Sequence, residues 1–273
     1  MLKILSLFGL ITGATYPFRA VGIFLRNKKL LPYLIIPVLI NFFIGIILYI
    51  GLLIFGFDLI KELVIILTVQ IDKFIDKFPS WLAFLDYLAL VIGWLLKFLL
   101  SVALLILNGF LMLQFGVIIG SPWYGKLSEK LEEIRLGNVT NIEVGIIKDI
   151  SRAILYELKK ILLVIVVGIG LFLINFIPVV GTLITSVGSI ALTATIVCLD
   201  FFDSPLERRR LSFRKKLRIV YSSLPASASF SLIALALISV PFLNLITIPI
   251  CVASGTLFIC DRIKFNDNDT NSI

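Results

Sequence analysis

The side chains in this sequence that are equipped to hold a ligand are basic or amide groups rather than nucleophiles. Arg26, Lys28 and Lys29 lie within four positions of one another, just ahead of a long apolar run. Cations beside the free N–H groups of a helix start make an oxyanion site. A denser cluster follows at Arg208, Arg209, Arg210, Arg214, Lys215, Lys216 and Arg218. Its plainer role is to rest on anionic lipid headgroups and fix topology; its sharper role is to collect anions. Asn41, Asn108, Gln114, Asn175, Asn244 and Asp200 are polar groups in apolar surroundings. In a bilayer such groups join helices or line a wet cavity. The chain contains no histidine, which excludes Ser-His-Asp and Cys-His catalysis and any His-bearing zinc site. Cys198, Cys251 and Cys260 are odd in number, lack C-x-x-C spacing and sit in apolar runs, so they read as buried small hydrophobes. No phosphate-binding G-x-x-x-x-G-K-[ST] loop is present, and the expectation is a non-enzyme with neither metal nor cofactor.

Positioning these groups requires helices of membrane length. Of the 273 residues, 59% are hydrophobic and 15% charged, against about 25% charged in soluble domains. The net charge of +8 comes from basic segments between uncharged runs, a pattern of membrane topology rather than of nucleic-acid binding. Leu30 to Phe57 is uncharged, and the stretch after Pro37 spans ~30 Å as a helix. Asp58 to Phe78 alternates a charged side with an apolar stripe, as an interfacial helix does. Phe98 to Gly120 gives a second crossing of ~34 Å, with Lys97 snorkelling beside Trp94. Ser121-Pro122-Trp123 precedes two amphipathic stretches, one marked by Leu127, Leu131 and Ile134 and one feeding back into the membrane. Lys3 and the apolar residues to Ile11 read as a retained amphipathic helix.

Two later runs are too long for one crossing. Ile161 to Leu199 has 39 uncharged residues and Ile219 to Cys260 has 42, each of them well beyond a ~30 Å core at ~1.5 Å per residue. Each must fold back, and the punctuation lies at Pro178-Val179-Val180-Gly181 and Pro241-Phe242-Leu243-Asn244. The arms reach only ~24 to 27 Å, favouring hairpins that turn inside the bilayer, with full crossings as the alternative. A turn at that depth must be enclosed by protein or face a hydrated cavity. Asn41, Asn175, Pro178, Gly181, Asp200, Pro241 and Asn244 are the candidates for such a site. The expected organisation is one all-α membrane domain over 1–273, with long spans at about 33–57 and 98–120, hairpins at about 161–199 and 222–260, and a disordered tail from about 265.

Lys and Arg number five in residues 1–29, three in 58–80, seven in 126–160, seven in 207–218 and two in 262–264. Among the connecting loops the poorest is 58–80, which puts both termini in the cytoplasm.

Several motifs in order resemble the CysZ-like sulfate permeases, which belong with the etoposide-induced membrane proteins. They are Ile36-Pro37-Val38-Leu39-Ile40-Asn41, Ser121-Pro122-Trp123 with Leu127-Ser128-Glu129-Lys130-Leu131-Glu132, Phe176-Ile177-Pro178-Val179-Val180-Gly181, Asp200 with Asp203-Ser204-Pro205, and Val240-Pro241-Phe242-Leu243-Asn244-Leu245. The resemblance covers about Tyr16 to Lys264. It implies an all-helical inner-membrane protein with two long spans and two partly penetrating hairpins, assembled as a homo-oligomer among membrane lipids. It also implies passive or ion-coupled uptake of sulfate or a similar small oxyanion. The family's Gly-Leu/Ile-Arg-Arg stretch, linked to anion binding, aligns here with Lys29-Leu30-Leu31-Pro32, without the arginines. Arg26, Lys28 and Lys29 stand about one helical turn earlier, and Lys lacks the planar fork of Arg. The competing reading is a membrane-organising or lipid-contacting protein.

Overall fold

The computed structural model describes residues 7–75, 84–139, 142, 145–240 and 243–265, and all regular structure among them is helical. The helices are α1 (Leu7–Ala14), α2 (Tyr16–Arg26), α3 (Leu31–Ile75), α4 (Phe84–Leu136), α5 (Ile146–Ile174), α6 (Val180–Arg208), α7 (Phe213–Ser222), α8 (Ala226–Ile238) and α9 (Asn244–Arg262), with a 3-10 turn at Lys28–Leu30. Four described segments are long and apolar enough to cross a membrane: Lys28–Glu62, Val91–Met112, Val180–Arg208 and Asn244–Arg262. The chain is an all-α, multi-pass membrane protein. Pro241 and the tail from 266 lie outside the described residues.

Helix boundaries differ from those read from apolarity. Residues 58–75, expected as a separate interfacial helix, continue α3. No Gly or Pro interrupts the chain between Phe57 and Ile75, and Lys61 bonds Asp58 one turn back at 3.2 Å, so charge changes the surroundings of the helix without ending it. Likewise α4 runs on through Pro122 to Leu136. Proline removes one N–H from the ladder there, a tolerable loss where neighbouring groups can satisfy the freed carbonyl.

Two compact units divide the chain. In the unit formed by residues 38–120, α3 and α4 are clasped by side chains that donate to backbone carbonyls. Asn41 Nδ2 donates to Gly116 O at 3.0 Å, Asn108 Nδ2 to Gly45 O at 3.2 Å, and the Tyr49 hydroxyl to Ser101 O at 3.2 Å. As the α3 position rises from 41 to 49 the α4 position falls from 116 to 101, the register of antiparallel helices. Glycine at 116 leaves room for the Asn41 amide, whose atoms lie 3.6 Å from where a Cβ would sit. The outer faces carry exposed Ile47, Phe55, Ile106 and Phe110, side chains suited to lipid.

The unit formed by residues 1–37 and 121–273 holds the larger core. Phe202 of α6 stacks on Phe230 of α8 and Phe258 of α9, with ring centroids 5.1 and 4.8 Å apart, and Phe230 and Phe258 close the triangle at 5.7 Å. Helix α9 lies largely inside the protein, 72% of its apolar window being buried against 28% for α6. Small residues permit this. A Cβ on Gly255 would fall 2.2 Å from Phe201 O, and one on Gly13 would fall 2.0 Å from Ala226 O.

Helices α5 and α6 form the first hairpin. Its turn brings Val179 to a φ of 64°, a conformation costly for a β-branched residue, while a Cβ on Gly181 would meet Ile174 O at 2.2 Å. The tip presents exposed Phe176, Ile177, Val179 and Val180. In the second hairpin α8 has only 13 residues, ~20 Å of helix, and it meets α7 at a bend of 100°.

Candidate functional site

The basic cluster at 208–218 does not lie open on one surface. Glu132, fully buried on α4, takes Arg208 on Oε2 at 2.6 Å and Arg209 on Oε1. Arg208 also donates to Ser128 Oγ at 2.9 Å, and that oxygen accepts from Thr256 at 2.8 Å. Arg209 donates to Pro205 O and lies over the Phe265 ring. Arg210 pairs with Asp149 and Glu207 and donates to Ile142 O. Lys216, 1% exposed, bonds Asp203 at 2.5 Å and Glu207 at 2.6 Å, with its ammonium 4.1 Å from the Tyr156 ring centre. Arg208, Arg209, Arg210 and Lys216 of the cluster are thus paired with carboxylates of the chain itself. Arg214 and Arg218 remain exposed.

This network borders a cleft of about 470 Å³ whose lining includes Gly125, Lys126, Glu129, Asp149, Tyr156, Asp203, Glu207, Arg208 and Arg210. Burial pushes the Tyr156 phenol far above its ordinary range, so it stays protonated and donates to Leu199 O at 2.9 Å. Counting cations missed the acids that meet them. One signal was available: Glu132 follows Tyr124, Leu127, Ser128 and Leu131 on a single helical face, and a carboxylate on a buried face must be paired.

A second cleft, of about 250 Å³, gathers Arg19, Gly22, Ile23 and Arg26 of α2 with Arg135 of α4 and Leu257 and Asp261 of α9. Arg19 and Arg26 are seven positions apart on one face of α2, and a Cβ on the Gly22 between them would point into open space. Arg135 donates to Asp261 at 2.7 Å, and this hydrogen bond raises its already high pKa. Arg135 thus occupies the Asp261 carboxylate while Arg19 and Arg26 line the same cleft, leaving guanidinium donors for a planar or tetrahedral oxyanion. Lys28 and Lys29 lie exposed on the following turn.

The structure does not bring all the sequence candidates together. Arg26 joins the arginine cleft. Asn41 is a helix clasp. Asn175 and Pro178 are exposed at the first hairpin tip, next to the buried Gly181. Asp200 bonds Lys160 at 2.5 Å, and Asn244 is buried at the start of α9, 2% exposed. Among the described residues no three Cys, Asp or Glu side chains converge as a metal site.

The stretch that carries the Pro37 span, the Pro122 helix, Glu132 and the tight Gly181 hairpin has relatives among known sequences. Residues 16–249 match the family described as Sulfate transporter CysZ/Etoposide-induced protein 2.4. The chain belongs to that family. Similar family members named Sulfate transporter CysZ come from Vibrio cholerae, 26% identical over 70% of this chain and 74% of the relative, and from Pectobacterium atrosepticum, 27% identical over 71% and 69%. Another, from Pseudomonas fluorescens, is 28% identical over 70% and 74%.

Proposed function

We propose that this protein carries sulfate across a bacterial inner membrane and that it is a transporter rather than an enzyme. The family match over residues 16–249 carries the reading, and the curated relatives bear the name of a sulfate transporter. The first anion contact is the arginine cleft, lined by Arg19, Arg26, Arg135 and Asp261, with Lys28 and Lys29 as collecting charges beside it. Transport is passive or ion-coupled, both termini face the cytoplasm, and the working form is a homo-oligomer. Flux of radiolabelled sulfate into proteoliposomes tests the reading, with phosphate and chloride as controls. A pH or sodium gradient added across the vesicle separates coupled from passive movement. Absence of sulfate flux above empty vesicles would remove the proposal.

One observation favours a second reading, a lipid-organising member of the family. The tip of the first hairpin is exposed and apolar at Phe176, Ile177, Val179 and Val180, the surface of a wedge in hydrocarbon. Vesicle remodelling without sulfate flux would favour it.

A further inference from the structure

The ion pairs of α5, α6 and α7 leave several exposed cations over, and two of them line one cleft. Arg152, Lys160, Arg210 and Lys216 all have carboxylate partners. Lys159 on α5 and Arg214 on α7 are exposed and have no ion pair among the described residues, yet both line one cleft of about 590 Å³. Its remaining wall is mostly apolar. Leu162, Leu163 and Val166 descend from Lys159 at helical spacing on one face of α5, so the cleft passes from charge to hydrocarbon over ~10 Å of helix. The transition coincides with the start of the uncharged run at Ile161, where a helix entering a bilayer would pass from headgroup to acyl chain. Ser212 adds a hydroxyl at the charged end that makes no helix-cap bond.

We propose that this cleft binds an anionic phospholipid, its phosphate between Lys159 and Arg214 and one acyl chain along Leu162, Leu163 and Val166. A free sulfate ion fills only the polar end and leaves the apolar wall uncovered, whereas a phospholipid complements both. The site is separate from the arginine cleft of α2, and it stands whether or not the protein carries sulfate.

Native mass spectrometry of the detergent-solubilised protein with added phosphatidylglycerol or phosphatidylcholine tests this. Bound phosphatidylglycerol should exceed phosphatidylcholine, and the Lys159→Gln/Arg214→Gln double variant should bind it about thirtyfold more weakly, the combined worth of two basic residues at a headgroup. The Lys148→Gln/Arg218→Gln double variant removes equal charge from exposed positions and should bind as the parent does. Val166→Trp, which fills the apolar end and leaves the charges intact, should also weaken binding. Equal losses in the two double variants, or unchanged binding in the first, would overturn the site. Unchanged binding in Val166→Trp would overturn the acyl-chain assignment, and displacement by sulfate beyond that by chloride at equal ionic strength would assign the cleft to the free anion. Sulfate flux measured on the same variants keeps failure of this site distinct from failure of the transport reading.

Discussion

Arg209 donates to the wholly buried carboxylate of Glu132 across 77 positions of sequence, while Arg208 takes the other oxygen. One carboxylate thus ties the C-terminal end of α6 to α4 and neutralises part of a basic segment that would otherwise repel itself.

Glu132→Gln keeps the shape and removes the charge, leaving two enclosed guanidinium groups short of an acid. Breaking a buried pair in this way costs about 3–5 kcal/mol. We expect a clear fall in melting temperature in detergent, followed by circular dichroism, and a smaller fall for the surface variant Glu133→Gln, whose partner Lys130 is half exposed. Equal melting of parent and Glu132→Gln would show that the arginines are satisfied without it.

Glycine contacts give a steric test. Gly255→Ala and Gly13→Ala push a methyl group into backbone carbonyls at 2.2 and 2.0 Å, and overpacking of that kind costs about 1–3 kcal/mol. Gly22→Ala and Gly170→Ala meet nothing within 4 Å and gain helix propensity. The first pair should unfold earlier on heating and the second pair should not; the reverse order would contradict the packing of α1 on α8 and of α6 on α9.

Asn41→Leu and Asn108→Leu each remove one clasp between α3 and α4. Hydrogen bonds between membrane helices average about 0.6 kcal/mol and seldom exceed about 2, so each variant should fold and be only modestly less stable. A loss as large as that of Glu132→Gln would mean that the amides do more than join two helices.

Arg26→Gln should raise the sulfate concentration for half-maximal flux and weaken its dependence on ionic strength. Lys28→Gln/Lys29→Gln should slow uptake at low sulfate without altering the saturated rate, as expected of charges that steer rather than bind. Flux unaffected by Arg26→Gln would move the anion site away from the α2 cleft.

Topology has its own check. A cysteine at Asp72 in a cysteine-free background should react only with external impermeant reagent, and one at Arg218 only from the cytoplasmic side. Asp72 labelled from the cytoplasm would invert the arrangement.

Helical membrane architecture was legible because run length alone exceeds bilayer thickness: 39 uncharged residues from Ile161 have to turn, and Pro178 marks where. Continuation of α3 past Asp58 was not legible, because charge reports the surroundings of a helix and not its end. The same limit hid the Glu132 network. Arg208 to Lys216 are adjacent in sequence, but Glu132 and Asp149 reach them from other helices, and distance along the chain conceals that pairing. Arg26 was visible as a cation and Arg19 stands two turns earlier on the same helical face, whereas Arg135 and Asp261 become neighbours only through packing.

The ring triangle of Phe202, Phe230 and Phe258 has a mechanical meaning. Three mutually touching plates cannot slide past one another in any direction without losing at least one face, so α6, α8 and α9 behave near that point as a single strut.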